Sequence, residues 1–467
     1  MTLLPKDFLL RCSSIDEILS TNFESIRSGK SSAGKAAGKL AQWCEISASG
    51  DWEIFEKRLK RDGFSLLEVL KKFADIKTSE NLTIPQWLED SQWVYSSLTA
   101  KQKNKTISTT RANFPFDDSY ENLIVRAISE VENITGPNWR HLWNEKAEAD
   151  LYDALNRRIS ELLSPLLYIE FRTRTKDQPD CMTLEGDKTC HIYKSYVDDL
   201  NSTLYEDLFI QKPVLLRLIA TVVRQWIDVT SELIIRLNND LEIEISKLLK
   251  VDESIKVNAI SNDIADPHNF GHAVHVITFS NNERVVYKPK SMAIDIAWIN
   301  LINYLNTLNP PTHLKTANVI AKDGYGWAEF INHTACDTPD DIDTFYYRSG
   351  SWLLMFYLLS GSDMHYGNII ASASHPVPID LEMTSQPSNP EQDSQIEANQ
   401  ATTKITNELS SSVSAIGLLP FYTKSANGDV FDASGLSPFA GHDLDQKWIN
   451  INLDQMRWIQ KKTEKRF

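Results

Sequence analysis

SGSDMHYGNIIASASHPVPIDLEM, residues 360–383, holds the densest polar cluster of the 467-residue chain, and its order decides how the surrounding sequence is read. Asp363 and Asn368 stand five positions apart in a loop that follows an apolar helical run, SWLLMFYLLSG at 351–361. IIA and PVPI then read as two short strands joined by SASH. Asp380 closes the second run twelve residues after Asn368, with Glu382 on the same strand face. Phosphoryl transfer calls for these residue types. One carboxylate accepts or orients a hydroxyl proton, which suits Asp363; an amide oxygen and a second carboxylate hold Mg²⁺ against phosphates, which suits Asn368 and Asp380. His365 is placed to orient Asp363 through a hydrogen bond. Taken singly, each residue has a plainer reading, a loop Asp or Asn as a turn or cap and a lone His as a packed side chain. The joint spacing is what points to chemistry.

Upstream, GHAVHVITF (271–279), a polar SNNE turn and RVVYK (284–288) alternate in the manner of a β-hairpin. Lys288 ends its strand, and Pro289 prevents that strand from continuing as an interior one. This is the context of the strand lysine that grips nucleotide phosphates in kinases, against the plainer reading of a solvated edge lysine. DPHNFGH (266–272) lies where a kinase keeps its phosphate-covering loop, so His268, Asn269 and Gly271 are candidate nucleotide contacts; with a single glycine they also read as ordinary turn residues. A helix is expected over 293–307, and TANVIA and GWAEFI read as strands flanking the turn KDGYG (322–326). Past Asp380, the polar segment 385–404 reads as a long exposed loop.

Residues 1–250 read as helix after helix. SSAGKAAGK (31–39) is expected to interrupt them as a mobile loop, and 146–170 carries helical spacing broken at Pro165. Pro213 opens the clearest helix, since its missing N–H costs nothing in a first turn. Leu215, Leu218, Ile219, Val222, Trp226, Val229, Leu233 and Leu237 form its apolar stripe, the pattern of a packing face. The whole predicts an α+β chain with a helical region over 1–250, a β-rich lobe over 251–335 and a second lobe over 336–467.

Composition narrows the partners. The hydrophobic fraction of 42% supports sizeable cores, and 63 acidic against 48 basic residues leave a net charge of −15. Such a surface repels phosphate backbones and argues against nucleic-acid binding. The five cysteines are scattered, which fits a reducing cytoplasm better than a disulfide framework. Cys181, Cys190 and His191 fall in a polar stretch read as a hairpin or loop, too few ligands for a structural zinc. The N-terminus lacks a basic start before an apolar core, and no run approaches the ~20 apolar residues of a membrane helix.

With VVYKPKS, YYRSGSWLLMFYLLSGSDMHYGNII and PIDLE in view, the chain resembles the dehydratase domain of class II lanthipeptide synthetases, the LanM type. PVLLRL (213–218), RLNND (236–240), DGYGWAEFI (323–331), SVSAIGLLP and DASGLS (412–437) extend the likeness over most of 150–440. The resemblance implies a lipid-kinase-like, two-lobed core that uses ATP and Mg²⁺ to phosphorylate Ser and Thr of a ribosomal precursor peptide, then eliminates phosphate to give dehydroamino acids. By it, Lys288 matches the nucleotide-binding lysine. Asp363, His365 and Asn368 match the Asp-x-His-x-x-Asn catalytic loop, Asp380 matches the metal-binding aspartate, and the helical half helps to hold the leader peptide. Gly367 departs from the usual Glu beside the Asn, as in phosphotransferases of the aminoglycoside-kinase type, and Ala265 stands before Asp266 where Gly is commoner. No cyclase domain and no zinc held by that domain's Cys/Cys/His cluster are expected in this sequence. The arginine and threonine credited with elimination in the family lie downstream of the stretch matching Ser434–Leu436. Only Arg457, in a helical-looking neighbourhood, precedes the basic tail. Phosphopeptide is therefore expected to accumulate unless a separate cyclase or elimination partner assists. The rival expectations are a small-molecule or protein kinase and a non-catalytic remnant that binds leader peptide.

Overall fold

The computed structural model describes the chain apart from residues 1–5, 20–22, 26–29, 74–75, 79–82, 101–113, 176–188, 252–254, 262–265, 385–404, 406–407, 410–411, 425–427, 429, 438–441 and 465–467. The segments around Cys181 and 385–404 lie outside the described residues.

The N-terminal half is helical. Its main elements are α1 (Lys30–Ala48), α2 (Gln86–Leu98), α3 (Asp117–Thr135), α4 (Glu145–Arg174) and α5 (Pro213–Asp240). Two expectations are corrected here. Residues 31–39 lie within α1, not in a loop. Ala36, Leu40 and Cys44 recur at i, i+4 and pack with Phe55, Leu59, Val69 and Phe73, so one buried face outweighs the poor propensity of Gly34 and Gly38. Nor does Pro165 break its helix: α4 runs through it, with Pro165 exposed and Leu163, Ser164 and Leu167 beside it buried. The carbonyl that proline leaves without an i+4 donor therefore faces solvent. The buried face of α5 is wider than the apolar stripe implies, taking in Leu216, Ala220, Val223, Ile227 and Ile234, whereas Leu218 is 47% exposed.

The second half opens on an antiparallel sheet of β1 (Val257–Ser261), β2 (His275–Phe279), β3 (Arg284–Lys288), β4 (Val319–Lys322) and β5 (Tyr325–Glu329), in the order β1-β2-β3-β5-β4. Helix α6 (Ala293–Thr307) connects β3 to β4. The sheet is sewn to the helical region at both ends. Asp150 of α4 accepts the Ile260 N–H (2.8 Å). Asp240, at the end of α5, accepts the Tyr325 hydroxyl and the Trp327 indole N–H, both at 2.8 Å, while Lys322 Nζ lies 3.0 Å from its other oxygen.

Helix α7 (Pro339–Leu358) starts well before the apolar run that marks it in the sequence. Thr338 and Asp341 form a reciprocal capping box, with Pro339 in the first turn. Beyond it comes the hairpin of β6 (Ile369–Ser372) and β7 (His375–Pro378), in the register Ile369↔Pro378. A second core of Trp298, Ile302, Trp352, Phe356, Met364 and Leu381 joins α6, α7 and this hairpin.

Residues 442–464 correct the helical reading of Arg457, which starts β9 (Arg457–Glu464), paired with β8 (His442–Ile449). The turn between these strands fastens to the helical region. Asn452 accepts the Phe116 N–H (2.9 Å), Asp454 accepts the Tyr193 N–H (2.8 Å), and Met456 is fully buried. Among the described residues no helix is long and apolar enough to cross a membrane.

Candidate functional site

Met364 decides how the polar loop is presented. Its side chain is fully buried in the α6–α7 core, and its N–H donates to the Ile416 carbonyl (2.8 Å). The neighbours on either side are therefore turned outward: the Asp363 side chain is 55% exposed and that of His365 37%. Asp363 has φ +65°, a left-handed conformation that a non-glycine residue adopts at a cost of about 1–3 kcal/mol. The segment 416–435 clamps the loop from outside. His365 forms an antiparallel bridge with Ser434, and the Gly435 N–H donates to the Gly417 carbonyl (2.9 Å). A Cβ on Gly435 would lie 2.4 Å from the Met364 carbonyl oxygen, so only glycine permits that approach.

Within the loop, Asn368 donates to the Asp363 carbonyl (2.8 Å) and lies 3.5 Å from its carboxylate. The Gly367 N–H donates to His365 Nδ1 (3.0 Å), which makes Nδ1 an acceptor and leaves the proton on Nε2, 3.8 Å from Asp363 Oδ1. A Cβ on Gly367 would stand 2.9 Å from the imidazole, so glycine at this position lets the ring fold back onto the backbone.

Lys288 reaches the same site from the sheet. Its ammonium donates to the Ile379 carbonyl (2.6 Å) and to Asp295 Oδ1 in the first turn of α6 (3.3 Å). The Ile379 N–H in turn donates to the Asn368 carbonyl (3.0 Å). Lys288, Asn368 and Asp363 are thus linked through one chain of hydrogen bonds, with Asp380 next to Ile379. Lys290 completes the group: its ammonium lies 2.9 Å from Asp380 Oδ1 and 2.6 Å from Glu382 Oε2. Burial pulls the Lys290 pKa down, but hydrogen bonds to Glu382 and Asp380 outweigh this and raise it above the ordinary lysine value.

His268, Asn269 and Gly271 precede β2, whose His275 pairs with Tyr287 next to Lys288. They form a tight turn in which the Gly271 N–H donates to the His268 carbonyl (3.0 Å), and Gly271 (φ +98°) packs against Gln225 of α5. Gly271 and Asp266 line a cavity of about 1910 Å³ between α4, α5 and the polar loop, whose far wall is His365–Gly367; Lys288 is not among its lining residues. Arg158 and His275 also line it. Burial, together with the Arg158 charge, pushes the His275 pKa down to about 4 against the raising effect of a hydrogen bond to the Ser261 backbone, so this imidazole is neutral.

Sequence reasoning missed Asp295, Lys290 and the clamp at 416–435. An acidic residue in the first turn of a helix, seven positions after a strand lysine, is the signal that marks Asp295. For Lys290 there is no local signal, because its partners lie about ninety positions away.

The model of the family described as "Domain of unknown function (DUF4135)" matches residues 213–466, more than half of the chain. The chain is also 24% identical over 201 residues to the lacticin 481/lactococcin biosynthesis protein LcnDR2 of Lactococcus lactis subsp. lactis. That similarity covers 41% of this chain and 21% of the relative, about a fifth of the relative's length.

Proposed function

The chain belongs to the DUF4135 family, and we propose that it is an ATP- and Mg²⁺-dependent enzyme of lanthipeptide biosynthesis that phosphorylates Ser and Thr side chains of a ribosomal precursor peptide. The reading rests on the chain of hydrogen bonds that joins Lys288, Asn368 and Asp363, with Asp380 next to Ile379 within it, in a chain similar to a lacticin 481/lactococcin biosynthesis protein. It takes the five-stranded sheet with α6, and the elements from α7 onward, as the two lobes of a kinase-like core. The Lys288–Asp295 pair supports this, since a strand lysine held by a carboxylate on the following helix is a working part of kinases.

The residues present fit a metal-bound nucleotide. Asp380 and Glu382 already converge on one cationic point, the Lys290 ammonium, and the Asn368 carbonyl accepts from the Ile379 N–H next to Asp380. Mg·ATP, when bound, supplies the phosphoryl group and the positive charge that offsets its transfer. Asp380 and Asn368 would hold the metal and Lys288 the phosphates. Asp363 accepts the hydroxyl proton of the incoming Ser or Thr, and His365, whose Nε2 lies 3.8 Å from that carboxylate, orients it through its electrostatic contact. The peptide approaches through the cavity walled by His365–Gly367, which Lys288 does not line. Loss of the phosphate with the Cα proton then leaves dehydroalanine or dehydrobutyrine.

Calorimetric titration with Mg·ATP, together with mass spectrometry of a precursor peptide incubated with ATP and Mg²⁺, tests the reading. Asp380→Asn is expected to abolish nucleotide binding. Asp363→Asn is expected to bind nucleotide as before but to transfer phosphate ~10²–10⁴-fold more slowly. Unchanged Mg·ATP affinity in Lys288→Ala, Asn368→Ala and Asp380→Asn alike overturns it.

A further inference from the structure

Lys290 is the side chain that the proposed reaction does not use, although it lies at the centre of the site. It stands two residues beyond Lys288, after Pro289, and bridges Asp380 and Glu382 at 2.9 and 2.6 Å. Asp380 has no other ion-pair partner among the described residues. The three side chains are 31%, 35% and 58% exposed, so an ordinary surface pair here would contribute little to stability. The geometry is nevertheless specific, because one ammonium fills the space between two carboxylates that would otherwise repel each other. A Mg²⁺ ion needs oxygen ligands at roughly 2.0–2.1 Å with near-octahedral geometry. An ammonium already seated on Asp380 Oδ1 and Glu382 Oε2 competes with it, by charge and by space, for those carboxylates.

We propose that Lys290 is an internal counter-cation of this site, occupying the Asp380 carboxylate that would hold the metal, with Glu382 as its second anchor, until a nucleotide arrives. The inference rests on the reading of the site as one for Mg·ATP. Its physical content is a linkage. A divalent cation entering alone must expel the ammonium into water and lose two charge-assisted hydrogen bonds. Entering with a nucleotide, it leaves the ammonium free to turn its four-carbon stem toward the phosphate oxygens. Lys288 does not stand in for the metal in this way, because its buried ammonium meets the Ile379 carbonyl and Asp295 rather than Asp380 or Glu382. Lys290 therefore makes metal and nucleotide bind as a pair, each strengthening the other by the same factor.

Mn²⁺ in place of Mg²⁺ allows the free ion to be counted by electron paramagnetic resonance, with and without ATP, in the unsubstituted chain, Lys290→Gln and Lys290→Arg. Without nucleotide, Lys290→Gln is expected to bind Mn²⁺ at least tenfold more tightly than the unsubstituted chain, whereas Lys290→Arg does not. The factor by which ATP improves Mn²⁺ binding is expected to fall at least tenfold in Lys290→Gln. Thermal melting gives an independent readout: Lys290→Gln melts lower without metal and recovers on addition of Mn²⁺ alone, a response the unsubstituted chain lacks. If the unsubstituted chain binds Mn·ATP and Lys290→Gln takes up Mn²⁺ no more tightly than it does, the proposal falls while the nucleotide reading stands. If the unsubstituted chain binds no Mn·ATP, both fall.

Discussion

The Lys288 ammonium donates to the Ile379 carbonyl at 2.6 Å, a single bond across 91 positions of sequence that ties the end of β3 to the residue before Asp380. Its second partner, Asp295, is as buried as the lysine, with side chains 9% and 10% exposed. Removing one member of such a pair strands a charge, whereas removing both does not. Asp295→Ala is expected to cost on the order of 3 kcal/mol in urea denaturation. Lys288→Met combined with Asp295→Leu should cost clearly less than the sum of the two single changes. Additive costs would show that the two charges do not interact.

Asp240 carries the junction between α5 and the sheet. It is 3% exposed and accepts from Tyr325 and Trp327. Burial, reinforced by the hydrogen bond to Asp240, pushes the Tyr325 pKa up to about 12. Asp240→Ala leaves two donors without their acceptor and is expected to destabilise the chain by on the order of 3 kcal/mol. Tyr325→Phe removes one donor cleanly and should cost no more than about 1 kcal/mol. Chemical denaturation followed by circular dichroism compares them.

Gly367→Ala places a Cβ against the His365 ring and breaks the fold-back onto the Gly367 N–H. Phosphate transfer to peptide is expected to fall ~10-fold or more, because His365 loses its orientation toward Asp363. Mg·ATP affinity and melting temperature should change little at so exposed a position. A variant that transfers phosphate at the original rate would show that the imidazole does not orient Asp363.

The neutral His275 sets a pH limit. Its folded pKa of about 4 lies below the ordinary histidine value, so the unfolded chain binds the proton more readily. The stability it contributes is complete above about pH 6.5 and is lost as pH falls through the window from about 6.5 to 4, on the order of 3 kcal/mol in all. Melting temperature against pH should therefore decline over that window, and His275→Gln should decline less. An unchanged slope in the variant would assign the acid sensitivity to other groups.

Much of the five-stranded sheet can be read in the sequence because its signals are local. Alternating β-branched residues around SNNE give β2 and β3, and DGYG marks the turn between β4 and β5. The polar loop is legible for the same reason, since Asp363, Asn368 and Asp380 lie within one short stretch. What local pattern cannot convey is partnership at a distance. Gly34 and Gly38 look like a loop until Ala36, Leu40 and Cys44 find Phe55 and Phe73. The sequence around Arg457 has helical spacing, yet pairing with 442–449 makes it a strand. Lys290 looks like any lysine after a strand, and only the return of the chain at Asp380 and Glu382 gives it a role.

The turn at 450–456 has a consequence for how the chain is made. Asn452 and Asp454 bind segments near residues 116 and 193, the former across 336 positions, and Met456 is a fully buried part of the helical core. Loop-closure entropy must be met before such remote contacts form, so they come late in folding. Although the helices leave the ribosome first, their core lacks Met456 until about two hundred residues beyond Asp240 have been synthesised. The helical region therefore waits, with the aromatic cluster of Phe116, Phe171 and Tyr193 open on one side, and during synthesis that open side is where a chaperone has most to hold.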